Sequence, residues 1–170
     1  YDLPSALAAL QQGETLEIVQ AGEYTVQSIN TPANTTIDAK VDGVVFNRTS
    51  TGYVSSTDVE GRTIKNITLN VGVAAEQFLH IANVVNCTFN GLFYPHGTVA
   101  FTGCTFNAPG YEYCMWTKGS DVTFKSCTFN TNGKAVNVYG TGTHTYEFDD
   151  CVFNATDIPS GIGKAAIFIK

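Results

Sequence analysis

A pattern of four residues recurs along the chain and constrains its fold more than any other feature of the sequence. The pattern is an aliphatic residue or cysteine, a Thr or Val, a Phe or Leu, and an Asn, as in Cys104-Thr105-Phe106-Asn107. Its first position falls at residues 44, 67, 87, 104, 127 and 151. The copies are 17 to 24 residues apart. A repeat of this length indicates an architecture of stacked structural units.

Alternating apolar residues precede the later copies of the pattern. Val122 and Phe124 lie five and three residues before Cys127, and apolar residues stand at the same spacing before Cys104 and Cys151. Such alternation is typical of β-strands. A unit of this length is too short for a propeller blade and lacks a leucine-rich pattern, so it predicts a β-solenoid in which each unit is one coil.

The asparagine that closes the pattern is predicted to form a ladder of side-chain amides. In a solenoid, equivalent residues stack about 4.8 Å apart, and Asn also tolerates the left-handed backbone of a tight turn. We therefore expect these asparagines to lie at turns and to hydrogen-bond to one another. They are Asn47, Asn70, Asn90, Asn107, Asn130 and Asn154.

Four of the five cysteines occupy the first position of the pattern, which is predicted to face the core. Stacked reduced thiols are the simpler interpretation, although neighbouring coils are close enough for a disulfide. Cys114 lies outside the pattern, has no adjacent base or oxyanion turn, and is expected to be inert. The four repeated cysteines are Cys87, Cys104, Cys127 and Cys151.

Residues 1–13 predict a short helix that caps the first coil. Leu3, Leu7 and Leu10 have helical spacing, and Gly13 ends the run. An apolar stripe of this kind buries itself against the end of a solenoid.

Residues 14–170 predict about seven coils, which together with the cap form a single domain, 1–170. The sequence after residue 165 predicts a strand with no capping element behind it. Because proteins normally protect exposed sheet edges, we expect further coils, another domain or self-association at this edge.

The composition excludes two classes of partner. The formal net charge of −6 and the pI near 4.8 repel phosphate backbones, and no Lys or Arg cluster compensates locally, so nucleic acid is not an expected partner. No stretch of about 18 apolar residues occurs, so membrane insertion is not expected either.

The cap helix, the segments 13–16 (Gly-Glu-Thr-Leu) and 21–25 (Ala-Gly-Glu-Tyr-Thr), and the Cys-Thr-Phe-Asn motif carry a family resemblance. With them the chain resembles the pectin-lyase-like superfamily, in particular the repeat regions of bacterial surface proteins and phage tail spikes. The resemblance covers nearly the whole chain. It implies an all-β, right-handed parallel β-helix of one chain that is extracellular or on a bacterial or phage surface.

Enzymes of that superfamily carry catalytic sets that cannot be placed on this sequence. Its lyases use aspartate-bound calcium with an arginine or lysine base, and its hydrolases use clustered aspartates with a histidine and a basic pair. We therefore expect no cofactor, with Ca²⁺ only if the chain is an enzyme. Asp149 and Asp150 are expected to form a solvated turn, and with Glu112 they are the carboxylates to test first for catalysis.

The three histidines, His80, His96 and His144, occupy unrelated places in the repeat when the units are aligned. Convergence on a metal ion is therefore not expected. Surface or structural roles are the simpler interpretation.

The strands after the ladder asparagines predict an outer face with aromatic residues. Aligned from the asparagine, Tyr113 matches Val136 and Met115 matches Val138, and all four are expected to face the core. Residues of the opposite phase then share the outer face. They are Glu112, Cys114, Trp116, Asn137 and Tyr139, with Tyr94 nearby.

Aromatic planes beside amides and carboxylates are what sugar recognition uses, so Trp116, Tyr139, Asn137 and Glu112 are candidate ligand-binding residues. Ordinary packing aromatics are the commoner role for such residues, and the opposite strand phase would bury Trp116. A protein-binding surface is a third interpretation.

The preferred hypothesis is a non-enzymatic extracellular or surface module with a structural or adhesive role, with carbohydrate binding on one long face as an option. A polysaccharide lyase or glycoside hydrolase of the same fold is the first alternative. A purely structural spacer or assembly module is the second.

Overall fold

The chain forms a parallel β-solenoid with one short helix, which confirms the fold predicted from the repeat. Successive coils contribute strands to the same sheets, and these strands pair in parallel. The computed structural model describes residues 2–49, 52–55, 60–71, 77–108, 113–117, 119–138, 142–155 and 166–169.

The helix Leu3–Ala9 packs at the N-terminal end of the solenoid. Asp2 is its N-cap, and the carboxylate of Asp2 accepts a hydrogen bond from the backbone N–H of Ser5 at 2.7 Å. Leu7 and Leu10 are buried, as their spacing predicts.

Within the described ranges, two seven-stranded sheets run the length of the solenoid. The strands of sheet 1 are Thr15–Ile18, Thr36–Ala39, Thr63–Lys65, Asn83–Val85, Val99–Thr102, Val122–Lys125 and Tyr146–Asp149. The strands of sheet 2 are Gly22–Val26, Val44–Arg48, Thr68–Val71, Thr88–Asn90, Thr105–Ala108, Thr128–Thr131 and Val152–Ala155.

Two shorter sheets form what we call the third face. A parallel bridge between Phe93 and Met115 joins them into one surface. Its strands are Gly52–Tyr53, Gln77–Leu79, Tyr94–Pro95, Tyr113–Thr117, Lys134–Val138 and Ile167–Ile169.

Aromatic rings from successive coils stack in the core. The ring centre of Phe106 lies 5.2 Å from that of Phe89 and 5.0 Å from that of Phe129, with the planes nearly parallel. On the sheet 1 side, Phe101 and Phe124 stack in the same way at 5.3 Å. Each of these rings is at most 1% exposed, and such burial stabilises the fold by about 1.5–3 kcal/mol per side chain.

The asparagine ladder is present along sheet 2. The Nδ2 of each asparagine donates to the Oδ1 of the asparagine one coil earlier, over distances of 2.6 to 2.9 Å. At its start, Asn47 donates to a carboxylate oxygen of Glu23 at 3.0 Å. The ladder runs through Asn47, Asn70, Asn90, Asn107, Asn130 and Asn154.

The prediction of turns at the ladder asparagines is wrong, because those asparagines lie within the extended strands of sheet 2. The left-handed residues stand instead one position before the Val, Ile or Cys of the pattern, where the chain bends sharply from sheet 1 to sheet 2. Their φ values lie between 51° and 79°. They are Gly43, Asn66, Asn86, Gly103, Ser126 and Asp150.

Candidate functional site

The strands of the third face pair in a register that differs from the sequence alignment. Met115 pairs with Val136 and not with Val138, and Tyr113 does not match Val136, so the alignment is wrong by two residues. The segment between Asn107 and its third-face strand is two residues longer than the corresponding segment of the next coil. Because two is an even number, the alternation survives, and Met115 and Val136 are both buried in the core.

Trp116 lies between two neighbours on adjacent coils of the third face. It pairs in register with Asn137, and the ring of Tyr94 meets its ring edge-on, with centres 5.4 Å apart at 75°. Trp116 and Asn137 are partly exposed, whereas Tyr94 is only 4% exposed. The structure thus brings Trp116, Asn137 and Tyr94 together. The other two predicted members, Glu112 and Tyr139, lie outside the described residues.

Cys114 does not lie on the outer face where the sequence places it. It is 1% exposed, and its thiol donates to the carbonyl oxygens of Asn130 at 3.4 Å and of Phe106 at 3.8 Å. At this end of the strand alternation has not begun, since the adjacent Met115 is buried as well. Burial raises the pKa of the Cys114 thiol to about 12, so it stays protonated near neutral pH.

Two of the histidines are neighbours, so the interpretation that all three occupy unrelated places is wrong for this pair. The rings of His80 and His96 have centres 4.5 Å apart and planes tilted by 44°. Pairing of Leu79 with Pro95 sets their register, and the backbone N–H of His96 donates to the Leu79 carbonyl at 2.9 Å. His144 lies elsewhere, with its Nδ1 3.7 Å from a carboxylate oxygen of Asp121.

A cavity of about 610 Å³ lies where the third face meets sheet 1. Both histidines of the pair line it, together with hydroxyl, amide and carboxylate groups from neighbouring coils. These groups include Glu60, Asn83, Thr98 and Thr123. A second groove, of about 530 Å³, lies against the N-terminal helix and has a mainly apolar lining that includes Pro4, Leu7 and Val26.

Asp149 and Asp150 lie at the corner between sheets 1 and 2, and not on the third face. Both are exposed. A carboxylate oxygen of Asp149 is 3.9 Å from Lys125 Nζ, and a carboxylate oxygen of Asp150 accepts from Ser126 Oγ at 3.4 Å. Asp150 has a φ of 51°, so the pair has the geometry of a solvated turn.

The alignment missed several polar residues, and the sequence contained signals that could have located some of them. Phe78-Leu79-His80 and Tyr94-Pro95-His96 share an aromatic residue two positions before the histidine, and this spacing gives the correct register. Arg48 follows a ladder asparagine at an inward strand position, is 1% exposed, and has its pKa lowered by burial. Arg62 is also buried, and its Nε donates to the Thr31 carbonyl at 2.7 Å.

Wider searches add little to this geometry. In the described part of the chain, no group of three or more His, Cys, Asp and Glu residues is arranged as a metal site, and no helix is long and apolar enough to cross a membrane. Comparisons with protein-family models, curated proteins and solved structures find no match. Function must therefore be inferred from the arrangement of the side chains themselves.

Proposed function

We propose that the chain is a non-enzymatic surface or extracellular module whose third face binds carbohydrate. The observation that carries this proposal is the partly exposed Trp116, whose ring contacts the ring of Tyr94 and which pairs in register with Asn137. The apolar face of a sugar packs on an indole plane, while its hydroxyl groups hydrogen-bond to an amide.

The surroundings of Trp116 favour binding because they fix the ring before a ligand arrives. Tyr94 is 4% exposed and its strand pairs with that of the preceding coil, so its contact limits the rotation of the indole. A ring that is already ordered loses little conformational entropy on binding.

The solenoid also favours a polymeric ligand over a single sugar. Third-face strands from successive coils stack about 4.8 Å apart and present their outer residues along one line. His96 lies two residues beyond Tyr94 along the chain, to the side of that line, and lines the cavity together with Asn83 and Thr123. A polysaccharide lying along the solenoid would reach both the indole and these polar groups.

Binding is preferred to catalysis because the predicted carboxylate pair does not lie near this surface. Asp149 and Asp150 stand at the opposite corner, where they interact with Lys125 and Ser126. The surface or extracellular location rests on the resemblance to bacterial surface and phage proteins.

The test is a binding screen of the purified chain against an array of glycans and bacterial polysaccharides. Trp116 is the chain's single tryptophan, so its fluorescence reports binding directly. We expect Trp116→Ala to weaken binding to a hit by about tenfold, or ~1.4 kcal/mol, and Trp116→Phe to retain part of the affinity. Tyr146→Ala, which removes a half-buried aromatic ring from sheet 1, is the matched control and should leave the affinity unchanged.

A blank array, or a hit whose affinity is the same for Trp116→Ala and the unmodified chain, would contradict the proposal. Release of shortened or unsaturated sugars from a hit would instead favour the lyase or hydrolase alternative. Glu112, Asp149 and Asp150 would then be the carboxylates to substitute.

A further inference from the structure

We propose that His80 and His96 form a binding site for a divalent transition-metal ion of the Ni²⁺ or Cu²⁺ type at the edge of the third face. The proposal rests on the placement of the two imidazoles. It does not depend on carbohydrate binding, which is attributed to Trp116 and Asn137.

The separation of the two rings suits a shared metal ion. An ion bound to one nitrogen of each imidazole at about 2.1 Å, with the two bonds near a right angle, places the ring centres about 4.5 Å apart. The observed distance is 4.5 Å. The planes are tilted by 44°, so the two rings neither stack in parallel nor meet edge-on.

The backbone holds both histidines in place. The parallel pair Leu79–Pro95 stands immediately before them, and the backbone N–H of His80 donates to the Ser55 hydroxyl at 2.6 Å. Two ligands fixed on adjacent strands lose little freedom when they share an ion, so a site of two protein ligands can bind without a third.

The cavity beside the rings leaves room for the remaining ligands of the ion. It has a volume of about 610 Å³, and both histidines line it, as do Glu60 and Asn83. Water molecules, or a donor group of a bound molecule, can complete the coordination from this side. This open arrangement is that of a metal site with exchangeable positions and not of a closed structural site.

The ligand chemistry selects the class of metal ion. Imidazole nitrogen suits Ni²⁺, Cu²⁺ and Zn²⁺, whereas Ca²⁺ and Mg²⁺ require oxygen ligands. The ring-centre distance of 4.5 Å is nearer to the value for bonds at a right angle, as in tetragonal or octahedral Cu²⁺ and Ni²⁺, than to the value of about 5.2 Å expected for tetrahedral Zn²⁺.

Calorimetric titration of the untagged chain with Ni²⁺ tests the proposal, since Ni²⁺ avoids the thiol oxidation that Cu²⁺ promotes. We expect one ion per chain, tighter binding of Ni²⁺ than of Zn²⁺, and a loss of at least about tenfold in affinity in His80→Gln and in His96→Gln. His144→Gln is the matched control because this histidine lies with Asp121 and not with the pair. Circular dichroism establishes that each variant keeps its β structure.

Three results would overturn the site. One is a dissociation constant for Ni²⁺ weaker than about 1 mM in the unmodified chain. Another is equal affinity in the unmodified chain and in both His80→Gln and His96→Gln. The third is a loss of affinity in His144→Gln as large as that in the other two variants.

Discussion

At the scale of single residues, the burial of a thiol determines its reactivity. Cys87 and Cys114 are each 1% exposed, and burial raises the pKa of each to about 12. Cys151, on the last described coil of sheet 2, is partly exposed. All five cysteines are free in the structure, as stacked reduced thiols predict.

This difference predicts the order in which the cysteines react with a thiol reagent. At pH 8 we expect Cys151 to be alkylated first and the four buried cysteines to stay unmodified in the folded chain, because the protein covers their thiols. Mass spectrometry of peptides after a timed iodoacetamide pulse measures this order. A denatured sample, in which all five should react, is the control. Rapid alkylation of Cys87 or Cys114 in the folded chain would contradict their burial.

At the scale of the elements, the asparagine ladder ties neighbouring strands of sheet 2 together. Asn107 lies in its middle, donates to Asn90 at 2.9 Å and accepts from Asn130 at 2.7 Å. Asn154 lies at its end, is exposed, and donates a single ladder bond to Asn130.

The position in the ladder predicts how much each amide stabilises the fold. We expect Asn107→Ala to lower the free energy of unfolding by about 1–2 kcal/mol, since two hydrogen bonds are lost in a half-buried place. Asn154→Ala should cost about 0.5 kcal/mol or less, because water replaces the lost partner. Urea unfolding of both variants measures the difference; equal costs would show that the ladder does not bear on stability.

The sequence predicts the position of a strand well where the repeat fixes the number of residues between one strand and the next. The asparagine ladder is predicted member by member, because all six copies of the pattern place the asparagine three residues after its first position. On the third face the phase of Met115 and Trp116 is predicted correctly, but Cys114 is buried and the register is wrong by two residues. The turn before that face varies in length, and alternation cannot detect an even insertion.

The same variation hid the histidine pair. Alignment from the ladder asparagine separates His80 from His96 in the repeat, whereas pairing of Leu79 with Pro95 brings them together. Contacts between coils depend on strand pairing across turns of unequal length. Residues that join two coils are therefore harder to predict than residues that alternate within one.

At the scale of the whole molecule, the solenoid presents unlike surfaces at its ends. The helix Leu3–Ala9 packs at the N-terminal end. At the other end, Val152 is 51% exposed and Ile169 is 76% exposed, on the last described strands of sheet 2 and the third face. Exposed apolar strand edges pair readily with other strands. Self-association at this edge is therefore expected, and it stays a prediction.

The long sides of the solenoid also differ from one another in the side chains that they present. Sheet 2 carries the amide ladder, whose side chains are occupied with one another. The third face instead carries Trp116 and Asn137, with the cavity at its edge. We propose that this face, and neither of the two long sheets, is the carbohydrate-binding surface.

The most direct test is to map chemical shifts in ¹H–¹⁵N NMR spectra of the 18.2 kDa chain as a polysaccharide hit is added. We predict the largest changes at the indole N–H of Trp116 and at the backbone amides of Tyr113–Thr117 and Lys134–Val138. The amides of Thr105–Ala108 on sheet 2 should not move. Changes centred on sheet 1 or sheet 2, with the Trp116 indole unmoved, would contradict carbohydrate binding at the third face.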